Sequence, residues 1–244
     1  MLWEQLTANP LIQDSVVMVI TLMLALSWLR IMDALAANGM LEQKLSRKII
    51  HMGTGPLFVL CWPFFSPQPT ARYFAALVPL AITLQFIAIG VGWIQDPDAV
   101  QAMTRTGNPK EILKGPLFYG LVFVACTIGF WRTSPVGMLA LMMMCGGDGL
   151  ADIVGRRLGV HKLPFSPEKS WAGSAAMFAG SFLFAFSFLS LFNRLNYFQP
   201  PLAGTIGIVA AIALIATLVE ALPFRDIDNL TLTGVAVALG LWWF

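Results

Sequence analysis

Charge is scarce in this chain. Asp, Glu, Lys and Arg make up 11% of its 244 residues, against 57% hydrophobic residues, and the mean hydropathy is +0.74. So little charge excludes an ordinary soluble domain. The net charge of +2 is carried by basic residues in short loops, which excludes a nucleic-acid partner. Cysteine is rarer still. Cys61, Cys126 and Cys145 form no CxxC pair, lie in apolar segments and read as small buried hydrophobes. There is no GxxxxGK[ST] phosphate loop. No internal repeat is visible, which argues against a small transporter built from inverted halves. The opening MLWEQLTANPLIQDS carries acids and no arginine. It resembles neither a cleaved signal nor a transit peptide, and reads as a mature, bacterial-type membrane protein.

What the chain has is apolar sequence. Eight segments stand out: Ser15–Met32, Ile49–Phe65, Ala71–Ile94, Pro116–Trp131, Pro135–Gly147, Trp171–Phe192, Leu202–Leu222 and Leu230–Phe244. Lipid offers no partners to backbone groups, so the spanning segments are helices. The expectation is a single all-α domain over residues 1–244, a polytopic membrane bundle of eight helices, or seven. Ile49–Phe65 and Pro135–Gly147 are short for a span. Counting loops from an external N-terminus puts twelve of the 15 Lys and Arg residues inside, which orients the chain. Losing one span spoils that asymmetry, an argument for keeping both short segments.

The scarce charge is concentrated in Cys145–Ser174, CGGDGLADIVGRRLGVHKLPFSPEKSWAGS. Asp148 and Asp152 are four apart and share a helix face. Two neighbouring carboxylates repel unless a cation lies between them, and hard oxygen donors suit Mg²⁺ with nucleotide phosphates. The plainer alternative is a ladder of ion pairs to Arg156 and Arg157. Gly155 and Gly159 form a GxxxG step, either close helix packing or backbone exposed to phosphate. Pro164 and Pro167 make the next stretch a loop. It holds Lys162 and leads to Lys169 and to Ser170, a candidate cap for the following helix, with Gly173 in its first turn.

Three other patches are polar. Lys48 and His51 share a face in RKIIH, beside Arg47. The loop Thr104–Pro116 contains Lys114. Glu220 lies within an apolar span and is followed by Arg225, Asp226, Asp228 and Asn229. An acid inside a membrane segment is a functional candidate, as an ion site or a catalyst, unless a neighbouring helix supplies its counter-charge. The charge rule places all four patches on the inner, cytoplasmic face.

At these residues the chain resembles the membrane CTP-dependent lipid-alcohol kinases, which act on phytol, farnesol, dolichol or diacylglycerol. Their nucleotide motif is an Asp, spaced glycines, and a Lys followed by a Gly. It falls here on Asp148, Gly155, Gly159, Lys169 and Gly173. RKIIHMGTG, GNPKEILKGPLFYG and EALPFRDIDNLT extend the likeness from about residue 45 to 235. Dolichol and diacylglycerol kinases carry Glu before the final Gly. This chain has Ala172 there, as in the phytol and farnesol branch. The signature of the phosphatidate cytidylyltransferases is missing.

The resemblance implies transfer of the CTP γ-phosphate to an isoprenoid alcohol that enters from the membrane lipids. Asp148 and Asp152 would hold Mg²⁺. Arg156, Arg157, Lys162 and Lys169 would neutralise the triphosphate, with Arg47, Lys48 and Lys114 behind them. Gly155, Gly159, Ser170, Gly173, Asp228 and Asn229 complete the nucleotide-binding set. His51 or Glu220 is placed to take the alcohol's proton. A bacterial inner or thylakoid-type membrane is the expected location.

Overall fold

The computed structural model describes residues 7–198, 202–223 and 227–244. Arg225 and Asp226 lie outside the described residues. The chain is 78% helical with almost no strand, an all-α membrane bundle. Among the described residues, five helical stretches are long and apolar enough to cross a membrane: Pro10–Ala37, Ala71–Gly90, Pro109–Phe130, Pro135–Leu158 and Trp171–Arg194. Gly204–Glu220 is a shorter apolar helix. The chain forms two compact units.

The first unit comprises Met1–Ile50 and Pro56–Trp131. Helix α1 (Pro10–Ala37) starts where the Asn9 side chain accepts from Leu11 N at 3.0 Å, with Pro10 in its first turn. Proline fits there because that position has no intrahelical donor to lose. Asp14 on α1 is buried. Its carboxylate accepts from Ser66 N at 2.7 Å and Ser66 Oγ at 2.9 Å, so this acid is satisfied rather than stranded.

Helix α2 (Gln43–Leu60) begins well before the apolar run expected from Ile49. Its first turns are polar, so hydropathy does not reveal them, and it closes into a 3-10 turn at Trp62–Phe64. Helix α3 (Ala71–Gly90) packs on α1 and on α5 (Gly115–Phe130). At the α3–α5 crossing, a side chain on Gly120 would run into the Thr83 hydroxyl. Between them lie the short α4 (Pro97–Met103) and a 3-10 turn, Pro109–Leu113. Phe58, Trp62, Phe65, Phe123 and Trp131 form an aromatic core, with Phe58 edge-on to both Trp62 and Phe123. Edge-to-face contacts add to what burial alone contributes.

The second unit comprises His51–Gly55, a stretch of α2, and Arg132–Phe244. Helix α6 (Pro135–Met143) runs through one π turn, Met144–Asp148, into α7 (Gly149–Leu158). The segment that looked too short to span is thus the first part of a 24-residue helix. Every residue from Val136 to Gly147 is buried, as its uniformly apolar composition demands. Helix α8 (Trp171–Arg194) packs along α6, the π turn and α7, and α9 (Leu202–Glu220) packs on α8. Helix α10 (Asp228–Trp243) packs on α6 and α9.

Glycine sets the closest approach. A Cβ on Gly180 of α8 would stand 2.9 Å from the Gly146 carbonyl carbon and 2.9 Å from Leu150 Cδ1. The segment read as a loop between α7 and α8 is instead a small antiparallel hairpin, β1 (Lys162–Leu163) with β2 (Ser166–Ser170). It is too short to show strand periodicity in the sequence.

Candidate active site

The charged window folds around the facing ends of α7 and α8 in the second unit. The π turn inserts one residue into the helical register and ends at Asp148. Such turns are rare within helices and collect at functional sites. Gly149 follows, and any side chain there would collide with Met52. That packing sets the His51 segment against the start of α7. His51 Nε2 lies 3.2 Å from Asp148 Oδ2, and both side chains are largely shielded.

One turn on, Asp152 receives both Nε and a terminal nitrogen of Arg156 on Oδ1, each at 3.0 Å. The two acids are therefore neighbours on one face with different partners. Arg156 pairs with Asp152 as the ladder of acids to arginines expects, and Asp148 is met by the histidine of another helix. Arg156, Arg157 and Lys162 are exposed.

The motif glycines are packing residues here. A Cβ on Gly173 would lie 3.2 Å from the Ala151 carbonyl oxygen and 3.4 Å from Gly155 Cα. A side chain on Gly159 would collide with the Gly155 carbonyl and crowd the Ser170 side chain. Glycine at these positions lets the backbones of α7 and α8 touch, as small residues do in membrane helices. Ser170 is buried and caps α8, its Oγ accepting from Gly173 N at 3.1 Å. Ser170→Ala is expected to lower stability by about 1 kcal/mol, the usual cost of a lost cap. The readout is the thermal unfolding midpoint in detergent.

Lys169, the residue before that cap, reaches the far end of α9. Its ammonium donates to Glu220 Oε1 at 2.7 Å and also to the Glu220 main-chain carbonyl. The intramembrane acid thus has a lysine as counter-charge, and the isolated ion site considered for a transporter is not what Glu220 forms. Asp228 opens α10 and Asn229 is buried in its first turn.

Lys48 and Lys114 belong to the first unit, on α2 and just before α5. There Arg47 donates to the Thr104 carbonyl at 3.0 Å. Glu111 closes the same polar loop, accepting from Arg105 N at 2.6 Å and from the Thr106 hydroxyl. Sequence reasoning did not single out Glu111, although its place in a glycine-bounded polar loop was a usable signal.

Among the described residues, no group of three His, Cys, Asp or Glu side chains could hold a metal ion unaided. Magnesium does not require one. It commonly takes one or two carboxylates and completes its shell with water and substrate phosphate. The two carboxylates at positions 148 and 152, one helical turn apart, fit that chemistry.

No protein-family model matches the chain, and no solved structure matches it. Curated proteins do. A "Probable phytol kinase, chloroplastic" from Triticum aestivum is 41% identical over 226 residues, covering 92% of this chain and 75% of that one. A protein with the same description from Zea mays is 42% identical over 222 residues, covering 90% and 73%. "Phytol kinase 1, chloroplastic" from Arabidopsis thaliana is 43% identical over 194 residues, covering 80% and 64%.

Proposed function

Because the chain belongs to the phytol kinase family, we propose that it moves the γ-phosphoryl group of CTP to the hydroxyl of phytol or a similar isoprenoid alcohol. The observation that carries this reading is that Asp148 at the head of α7 and Asp152 and Arg156 within it stand beside the start of α8, where the two helices touch through glycine and which Lys169 precedes. Phosphoryl transfer asks a protein for positioning and charge neutralisation more than for covalent help, and this cluster offers both.

In this reading the alcohol oxygen forms a bond to the γ-phosphorus as the bridge to the β-phosphate breaks. Prenyl phosphate and CDP result, and the alcohol's proton passes to a base, for which His51 is the candidate. Asp148 and Asp152 would hold Mg²⁺, which supplies charge neutralisation on the phosphates when bound. Arg156, Arg157, Lys162 and Lys169 are the cations nearest in sequence to that pair, and they bind and orient the triphosphate.

The apolar helices keep the isoprenoid tail in the bilayer. Charge asymmetry between loops favours nucleotide entry from the cytoplasmic face of a bacterial inner or thylakoid-type membrane. Cytidine rests on the family resemblance described for the sequence.

Purified protein in nanodiscs, given phytol, Mg²⁺ and labelled CTP, is expected to yield phytyl phosphate and CDP in equal amounts. Pyrophosphate with a cytidylyl-lipid product would replace the kinase reading with nucleotidyl transfer.

A further inference from the structure

The Lys169–Glu220 contact has a geometry that a simple counter-charge does not need. Lysine carries a compact ammonium on a flexible four-carbon stem. Left alone, it is a poor device for fixing a donor in space. Here two acceptors hold it, the carboxylate of Glu220 at 2.7 Å and the same residue's main-chain carbonyl. Glu220 is the last residue of α9. Carbonyls in a helix's last turn lack an intrahelical donor, and that end carries partial negative charge. Lys169 answers both the side chain and the helix end. The pair is mostly shielded from solvent, at 20% and 11% exposure. A shielded pair is retained at a desolvation cost and is best explained by what it orients.

An ammonium has three N–H donors. Among the described residues, Glu220 takes two of them, which leaves one. Lys169 also sits immediately before Ser170, whose side chain caps α8, so the held ammonium is tethered one residue ahead of that helix start. We infer that Glu220 is a positioning residue. It fixes the Lys169 ammonium at the mouth of α8 so that the remaining N–H meets a phosphate oxygen of the nucleotide. This inference rests on the kinase reading above, and it gives Glu220 a different task from proton acceptor. One of its two carboxylate oxygens, Oε1, already accepts from an ammonium, which lowers the basicity of the group as a whole.

The two roles separate experimentally. Binding of a non-hydrolysable CTP analogue to the intact protein in nanodiscs is measured alongside steady-state kinetics. Glu220→Ala is expected to weaken analogue binding and raise the KM for CTP by about tenfold, as loss of an orienting charged hydrogen bond does, with the KM for phytol little changed. Glu220→Gln keeps an oxygen acceptor for the ammonium and is expected to recover most of that loss. Lys169→Met combined with Glu220→Ala should be no worse than Lys169→Met alone, because the two residues act as one unit.

Unchanged analogue binding in Glu220→Ala would overturn the inference. So would a Glu220→Gln variant that binds analogue normally but is as slow as Glu220→Ala, which is the signature of a base. Wild-type protein that binds no CTP analogue would bring down the kinase reading itself, and this inference with it.

Discussion

Asp148→Asn is expected to cut phytol-dependent CTP turnover by about a thousandfold or more, an effect worth roughly 4 kcal/mol in the transition state. Asparagine has the same shape and can still meet His51 Nε2 through an oxygen, so the 3.2 Å contact has a neutral substitute. What it removes is the negative charge needed to hold a cation on the phosphates. The variant should therefore elute from size exclusion, and melt, as the wild type does. Steady-state turnover in nanodiscs is the measurement. Activity near the wild-type level would remove Asp148 from the metal assignment. Asp152→Asn should be milder, since Arg156 already claims one of its oxygens.

Gly180→Leu is expected to prevent the second unit from folding. A single Cβ there already stands 2.9 Å from the Gly146 carbonyl carbon, with Leu150 Cδ1 as near. Backbone cannot yield as a flexible side-chain tip can. Overpacking usually costs about 1–3 kcal/mol, and a branched chain wedged against main chain belongs at or beyond the top of that range. Total stabilities are only about 5–15 kcal/mol, so yield after detergent extraction should collapse. Gly204→Ala on α9 is the control. Nothing lies within 4 Å of its added methyl, and alanine favours the helix. Equal yields from the two variants would mean that the contact of α8 with the π turn and α7 is looser than described.

These two positions show what a sequence exposes and what it conceals. The Asp148–Asp152 pair is visible because four-residue spacing on a helix is a local rule. That its members serve different partners is not visible, since His51 comes from a distant helix. Ser170 was readable as a cap for the same local reason. Glu220 was readable as an acid in need of a counter-charge, but nothing in its neighbourhood names Lys169. The glycines signalled close approach without naming what approaches, and Gly155 packs on Gly173 of another helix. Hydropathy concealed the rest. Polar residues at the start of α2 hid its first turns, and the charges after Gly147 made one 24-residue helix look like a span that stopped short.

The place of His51–Gly55 in the second unit has a consequence for the order of synthesis. Residues 51–55 are made early, and the helices they belong with only much later. At a ribosomal pace of about 5–20 residues per second, His51 waits on the order of 5–20 s before Asp148 is even polymerised. The stretch must enter the bilayer, carrying its histidine, ahead of the acid it will meet. A C-terminal fragment beginning at Arg132 would hold every helix of that unit from α6 onward and still lack the turn that brings His51 and Met52 to the start of α7. Severing the chain between the units would thus part His51 from Asp148, and the early piece would have to be supplied in trans to restore that contact.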